Sequence, residues 1–291
     1  MQAVRGAVRR RFVPLALNPF LQYAPPGHFY SPIPDASARS QAFDASITSV
    51  AGVNLRVDQQ VALLAEFARF MPEMPFRDQA SDGLRFGFAN SYFSYSDGTV
   101  LYGMLRQYRP RRIIEVGSGY SSAVMLDTAD RFGLDLTCTF IEPYPKNRLL
   151  GLLTQADRAK HRIITDGVQD VPLDTFDALQ ANDILFIDSS HVGKLGSDVL
   201  HLLTHVLPRL KPGVLIHVHD IFWPFDYPNE WVREGRAWNE AYLLRAFLQF
   251  NDAFAIRLFT SYLHVHHRDA LERYVPVVLH GHGGSMYIQR C

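Results

Sequence analysis

The chain is short of cysteine, of net charge and of long apolar runs, and each shortage closes off a class of protein. Cys138 and Cys291 are the only cysteines among 291 residues. They form neither metal-ligand nor disulfide spacing, so a reducing, cytoplasmic compartment is expected. Lysine plus arginine and aspartate plus glutamate both number 29, which leaves a formal net charge of zero. A nucleic-acid binder working through a large basic surface is therefore not expected. No apolar run is long enough to span a bilayer. The stretch Phe12 to Leu17 is also too short and too proline-interrupted for a signal peptide. What remains, 47% hydrophobic and 20% charged residues, suits a globular chain with one large α/β domain and an N-terminal extension.

The most informative absences are local. Residues Arg112–Ser122 read RIIEVGSGYSS. The β-branched run of Ile113, Ile114 and Val116, interrupted by Glu115, predicts a buried parallel strand. Gly117-Ser118-Gly119 lets the backbone turn sharply and approach a ligand. Ser121 and Ser122 are placed to cap a helix from about Ala123 to Arg131. A dinucleotide fingerprint needs a third glycine where Ser122 stands, and a phosphate loop needs Gly-Lys-Ser/Thr, for which no lysine is present. The loop is thus poorly suited to phosphates. It suits a ligand with an amino group, a carboxylate and a ribose: Glu115 can take the ammonium, and loop amides at the helix N-terminus can take the carboxylate.

S-adenosylmethionine has those groups, and Glu115-Val116-Gly117-Ser118-Gly119 resembles the first motif of class I S-adenosylmethionine-dependent methyltransferases. Later segments follow in the order of that family. FIDSSH (Phe186–His191) and PRLKPGVLIHVHDIF (Pro208–Phe222) look like a bacterial group that includes O-methyltransferases of small molecules and sugars. The resemblance covers residues 91–291. Residues 1–90 remain as an extension made of a basic tail, a proline-rich linker and a helix. The resemblance implies a Rossmann-like, doubly wound α/β sheet of seven strands, mostly parallel with an antiparallel last strand. It implies that Glu115, Gly117, Ser118, Gly119, Tyr120, Ser121 and Ser122 hold the cofactor. Glu142, ending the second strand, would accept from both ribose hydroxyls, with Val168 and Gln169 beside the adenine.

Periodicity fills in the remaining elements. Val57, Val61, Leu64 and Ala68 mark a helix over Leu55–Phe70, and Asp97 is placed to cap a helix from Gly98 to about Tyr108. Strands are expected at Leu136–Glu142, Arg162–Thr165, Ile184–Asp188, Val214–Val218, Phe254–Thr260 and Ser285–Arg290, and helices at Lys194–Leu207 and Trp238–Phe250. Met1 to Phe20 carries Arg5, Arg9, Arg10 and Arg11 and no acid. It reads as a disordered tail, with a membrane-surface or partner contact as the alternative. Tyr92, Phe93 and Tyr95 fit equally a lid on the core or an aromatic wall beside the ligand. Trp223–Trp231, rich in proline and aromatics, is expected to receive a sugar or aromatic ring, a packing loop being the alternative. His264, His266 and His267 are expected on an exposed loop or edge strand, and His217 as a packed, hydrogen-bonded neighbour of His219.

Methyl transfer from a sulfonium is an in-line displacement, and a hydroxyl acceptor must also lose its proton. A histidine can accept that proton, or a divalent metal can lower the hydroxyl's pKa. Asp188, His191, His219 and Asp220, from two neighbouring strand ends, are the catalytic candidates. Asp188 and Asp220 also match two aspartates of the catechol-type metal site, but Ile221 stands where the third ligand would be. Magnesium or manganese is therefore left open, with His191 or His219 as substitute ligand or as the base. The expected activity is O-methylation of a small molecule or saccharide. An NAD(P)-dependent oxidoreductase is disfavoured by the missing glycine and the extra C-terminal strand. A non-catalytic binding module is disfavoured by the crowd of titratable groups. Nothing in the sequence speaks to oligomeric state.

Overall fold

Seven short segments join in one sheet: β1 (Arg112–Val116), β2 (Thr137–Ile141), β3 (Arg162–Ile164), β4 (Ile184–Ile187), β5 (Leu215–Val218), β6 (Phe254–Phe259) and β7 (Met286–Arg290). Their order across the sheet is β3-β2-β1-β4-β5-β7-β6. The pairs among β1 to β5 are parallel, and β7 runs antiparallel to both β5 and β6. This is the expected Rossmann-like arrangement with its reversed last strand. The computed structural model describes residues 23–35, 37–38, 44–81 and 83–291. The arginine-rich stretch to Phe20 lies outside them. No helix among the described residues is long and apolar enough to cross a membrane.

β4 and β5 are buried at every position, and β1 at all but Arg112. Helices cover both faces of such strands, which is why they read as unbroken apolar runs. Around the sheet lie α1 (Val57–Ala68), α2 (Tyr95–Tyr108), α3 (Tyr120–Phe132), α4 (Gln155–Lys160), α5 (Asp198–His201), α6 (Glu240–Leu248), α7 (Thr260–His266) and α8 (Arg268–Tyr274). The chain forms two compact units. One, Asp44–Tyr227 with Trp238–Cys291, contains the whole sheet. The other, Met1–Phe43 with Pro228–Ala237, has among its described parts a ring cluster of His28, Phe29 and Tyr30 and the helical turn Asn229–Arg233. α1 falls inside the sheet's unit. Its Gln60, fully buried, accepts the Phe259 N–H at 2.7 Å and donates to the Leu55 carbonyl at 2.6 Å. A boundary at residue 90 would therefore separate β6 from a helix that satisfies its backbone.

Three local expectations are corrected. α2 starts at Tyr95, and Asp97 does not cap it; the carboxyl is buried and accepts from Ser285 Oγ at 2.6 Å. The helix expected from Lys194 starts at Asp198. There Ser197 Oγ accepts the Leu200 N–H, and Gly196 just before it holds a left-handed φ of 73°. It then continues through a π-helical turn, Leu202–Val206. His264 and His266 lie on α7, because β6 passes into helix at Thr260 without a loop.

An ion network ties the segment before α2 to α3 and α4. Arg85, with 12% of its side chain exposed, pairs with Asp127 at 2.7 Å, Asp130 at 2.9 Å and Asp157 at 2.8 Å. Asp127 also accepts the N–H groups of Arg85 and Phe86, both at 2.8 Å. Arg85→Met should therefore cost about 3–5 kcal/mol, the usual result of leaving a buried charge without its partner. Urea unfolding measures it, and a loss below about 1 kcal/mol, the surface-pair range, would show the network to be incidental.

Candidate functional site

The strand order reverses between β1 and β4, and ligands of open α/β sheets bind beyond the C-terminal ends of strands at such a point. A cavity of about 710 Å³ opens there, lined among others by Gly117, Glu142, Val168, Gln169 and Asp188. Gly117 holds a left-handed φ of 77°, and a Cβ on it would overlap the Asp188 carbonyl oxygen. β1 and β4 thus meet where only a hydrogen fits. The loop then enters α3, whose N-cap is Gly119. Ser122 Oγ accepts the Gly119 N–H at 3.0 Å, so the expected serine cap acts from inside the first turn.

Glu115 does not face the cavity. It is fully buried, and its two carboxyl oxygens accept from Ser121 Oγ and Ser122 Oγ. Burial pushes this carboxyl up to about 8, against the serine hydroxyls that pull it down. Its place is behind the loop as a brace, which corrects the expectation that it takes a ligand's ammonium. Glu142 does line the cavity. Its oxygens accept the Ser118 N–H at 3.1 Å and the Tyr144 N–H at 2.8 Å, which fixes the carboxylate while leaving lone pairs for a diol. Val168 is buried, whereas Gln169 is exposed and donates from Nε2 to the Gly196 carbonyl at 2.9 Å. Ser118 and Ser121 are buried, and Tyr120 is half-buried against the Tyr92 ring.

The four catalytic candidates come together. His191 follows β4 and Asp220 follows β5, and both adopt left-handed backbone, φ 60° and 57°. His191 Nε2 lies 3.5 Å from Asp188 Oδ1 and 3.6 Å from Asp220 Oδ2. His219 Nε2 lies 3.6 Å from Asp220 Oδ1. A residue that sequence reasoning missed completes the cluster: Glu240, 3% exposed, sits 2.9 Å from His191 Nδ1. Glu240 also accepts from Ser189 Oγ at 2.9 Å, and the Asn239 and Glu240 amides both donate to the His191 carbonyl. An acid in the first turn of a helix is ordinary, and only the packing of α6 onto His191 marks this one.

Charge follows from that geometry. Burial opposes a charged His191, but hydrogen bonds to Asp188 and Glu240 and the charges of Glu240 and Asp220 push the ring up to about 10. Burial likewise opposes a charged His219, yet Asp220, Asp188 and Asp97 leave it raised. Burial raises Asp188, but His219, His191 and Arg148 outweigh it and hold the carboxyl low. His217 is pushed well down by burial and by His219; it stacks on Phe186 and its Nε2 meets Ser285 Oγ at 3.0 Å, the packed role expected of it. Among the described residues no group of three or more His, Cys, Asp or Glu can hold a metal ion. Where Asp188 and Asp220 would share one, they share His191 Nε2.

The aromatic segments divide. Phe93 is buried against Phe186 and His219, Tyr95 stacks on Phe88, and Tyr92 is exposed beside Tyr120. Trp223, Phe225 and Tyr227 are at most 2% exposed, and Trp223 packs on Phe259 and Tyr262. Those three form core, which corrects the ligand-binding expectation for them.

Residues 114–221 match the family described as Methyltransferase domain. An uncharacterized protein of Archaeoglobus fulgidus is 31% identical over 169 residues, spanning 55% of this chain and 75% of the relative. Among solved structures, SAH-bound PaMTH1 of Podospora anserina is 14% identical, with 84% of this chain and 100% of that chain covered and a TM-score of 0.44. CmcI with SAH is 13% identical, with 76% and 90% covered and a TM-score of 0.42.

His191, raised from 6.5 to about 10, contributes stability that is complete below pH 6.5 and is lost as pH rises through about 10. Glu240→Gln should lower the His191 pKa and the melting temperature, with the deficit largest near pH 6 and shrinking toward pH 10. NMR titration of the ring and calorimetry across that range measure both. A deficit independent of pH would mean that Glu240 supports α6 and not the charge on His191.

Proposed function

Because the chain belongs to the class I S-adenosylmethionine-dependent methyltransferases, we propose that it methylates a hydroxyl group on a small molecule or saccharide. One observation carries the reading. Asp188 lines the glycine-loop cavity and is also a member of the His191 cluster, so the ligand site and the acid–base groups share a wall. The residues present fit the cofactor. The cavity volume lies in the range of small-molecule sites, Gly117 lets the ligand lie against the backbone, Glu142 offers its carboxylate to the ribose, and Val168 and Gln169 flank the adenine end. Bound there, S-adenosylmethionine supplies an electrophilic methyl group.

The chain's own residues then handle the acceptor proton. Asp220, with 18% of its side chain exposed between two imidazoles, is the acceptor of that proton in this reading. His219 stands next to it, its Nε2 3.6 Å from Asp220 Oδ1. His191 stays cationic at neutral pH, so it does not serve as the base; it holds Asp188 and Asp220 in place, and Glu240 holds it. His191 Nε2 lies between the Asp188 and Asp220 carboxylates, so in this reading the proton is handled by side chains alone.

S-adenosylhomocysteine, and not NAD, should raise the melting temperature. Glu142→Ala should weaken S-adenosylhomocysteine roughly 10- to 100-fold, the worth of hydrogen bonds to a charged acceptor; unchanged calorimetric affinity in a folded variant would remove the ribose assignment. Asp220→Asn should cut methyl transfer to a panel of phenols and sugars by about 10² or more, the usual cost of losing a positioned acid–base group, with cofactor affinity nearly intact. A rate within threefold of wild type would clear Asp220 of the base role.

A further inference from the structure

Arg148 directly precedes the helical turn Leu149–Leu152, beyond the end of β2. Its guanidinium carbon lies 3.8 Å from the centre of the Tyr92 ring and 5.6 Å from that of Tyr120. Those rings are 6.2 Å apart and within 19° of parallel. The side chain crosses the glycine loop, since a Cβ on Gly119 would stand 2.7 Å from Arg148 Cδ and 2.9 Å from Nη1. Among the described residues its guanidinium has no hydrogen-bond or ion-pair partner. Arg106 shows the contrast: stacked 3.7 Å over the Phe132 ring, it also pairs with Glu73 at 2.6 Å.

A guanidinium stacked on an aromatic face keeps its in-plane N–H groups free, and their fork matches a carboxylate in bidentate fashion. Stacking also orients the side chain in advance, so less freedom is lost on binding. Arg148 overhangs the N-terminus of the 13-residue helix α3, where backbone amides and the helix dipole favour an anion. Glu142 and Asp188 line the cavity beside the glycine loop, and the charge of Arg148 helps to hold the Asp188 carboxyl low. This end of the crevice is therefore matched to a ligand carrying both signs of charge.

We propose that Arg148 is the anchor of a carboxylate at this end of the crevice, the amino-acid carboxylate of S-adenosylmethionine; the inference rests on the cofactor reading above. A carboxylate on the methyl acceptor has the same chemistry, and the test separates the two. S-adenosylhomocysteine and 5′-methylthioadenosine share the adenosine and the thioether, and only the first has the amino-acid group. Calorimetric titration of both into the full-length wild type and R148Q should show S-adenosylhomocysteine weakened roughly 10- to 100-fold. Methylthioadenosine should stay within about twofold, which also certifies the fold, and R148K should recover part of the loss. Unchanged S-adenosylhomocysteine affinity overturns the proposal, and a KM raised only for carboxylate-bearing acceptors would then give Arg148 to the acceptor. Equal loss of both ligands also overturns it, leaving Arg148 a loop-shaping residue. A wild type that binds neither ligand brings down the cofactor reading together with this one.

Discussion

The site depends on the closeness of two backbones. Gly117 and the Asp188 carbonyl meet where no side chain fits, and the Asp188 N–H donates to Val116 at 2.8 Å just before that point. This pairing carries the β1–β4 ladder to the rim of the sheet. It turns the glycine loop toward α3 and leaves the Asp188 side chain at the cavity wall. The brace behind the loop follows from the same constraint. A loop with no side chains of its own at Gly117 and Gly119 is held from beneath by Glu115 through two serines. Rigidity of this kind is what a preorganised ligand site requires.

Beyond the loop, the fold handles buried charge by sharing it. His191 sits among three carboxylates contributed by the ends of β4 and β5 and by the start of α6. Beneath it, Asp97, Ser285 and His217 form a buried chain at 2.6 and 3.0 Å that joins α2, β7's leading edge and β5. Burial raises the Asp97 carboxyl while His219 and Ser285 pull it down. Such networks are stable only when their members are satisfied, so the helices around the crevice are fixed by the same contacts that set the charge on its histidines.

The sheet was legible because buried parallel strands announce themselves as short apolar runs, and the glycine loop because its geometry restricts residue type at each step. Asp188, His191, His219 and Asp220 were legible as strand-end residues, since strand ends share one edge. Glu240 was not, because 49 positions separate it from His191 and only tertiary packing joins them. Asp97 looked like a helix cap by local spacing, yet β7 and the glycines before it bring Ser285 to it, a contact no local rule contains. Trp223, Phe225 and Tyr227 looked like a ring-binding surface, but the same apolar area serves equally as core, and composition cannot say which side faces solvent.

The left-handed turns at His191 and Asp220 have a consequence for how this site endures change. A side chain in that conformation costs roughly 1–2 kcal/mol that glycine would not incur. At both strand exits the backbone alone would therefore be relaxed by the residue that removes the imidazole or the carboxylate. At His191 that gain is outweighed, because glycine would leave the carboxylates of Asp188, Asp220 and Glu240 without the cation they share. A lineage or a screen rewarded only for thermal robustness would therefore keep the imidazole at residue 191 in spite of its turn.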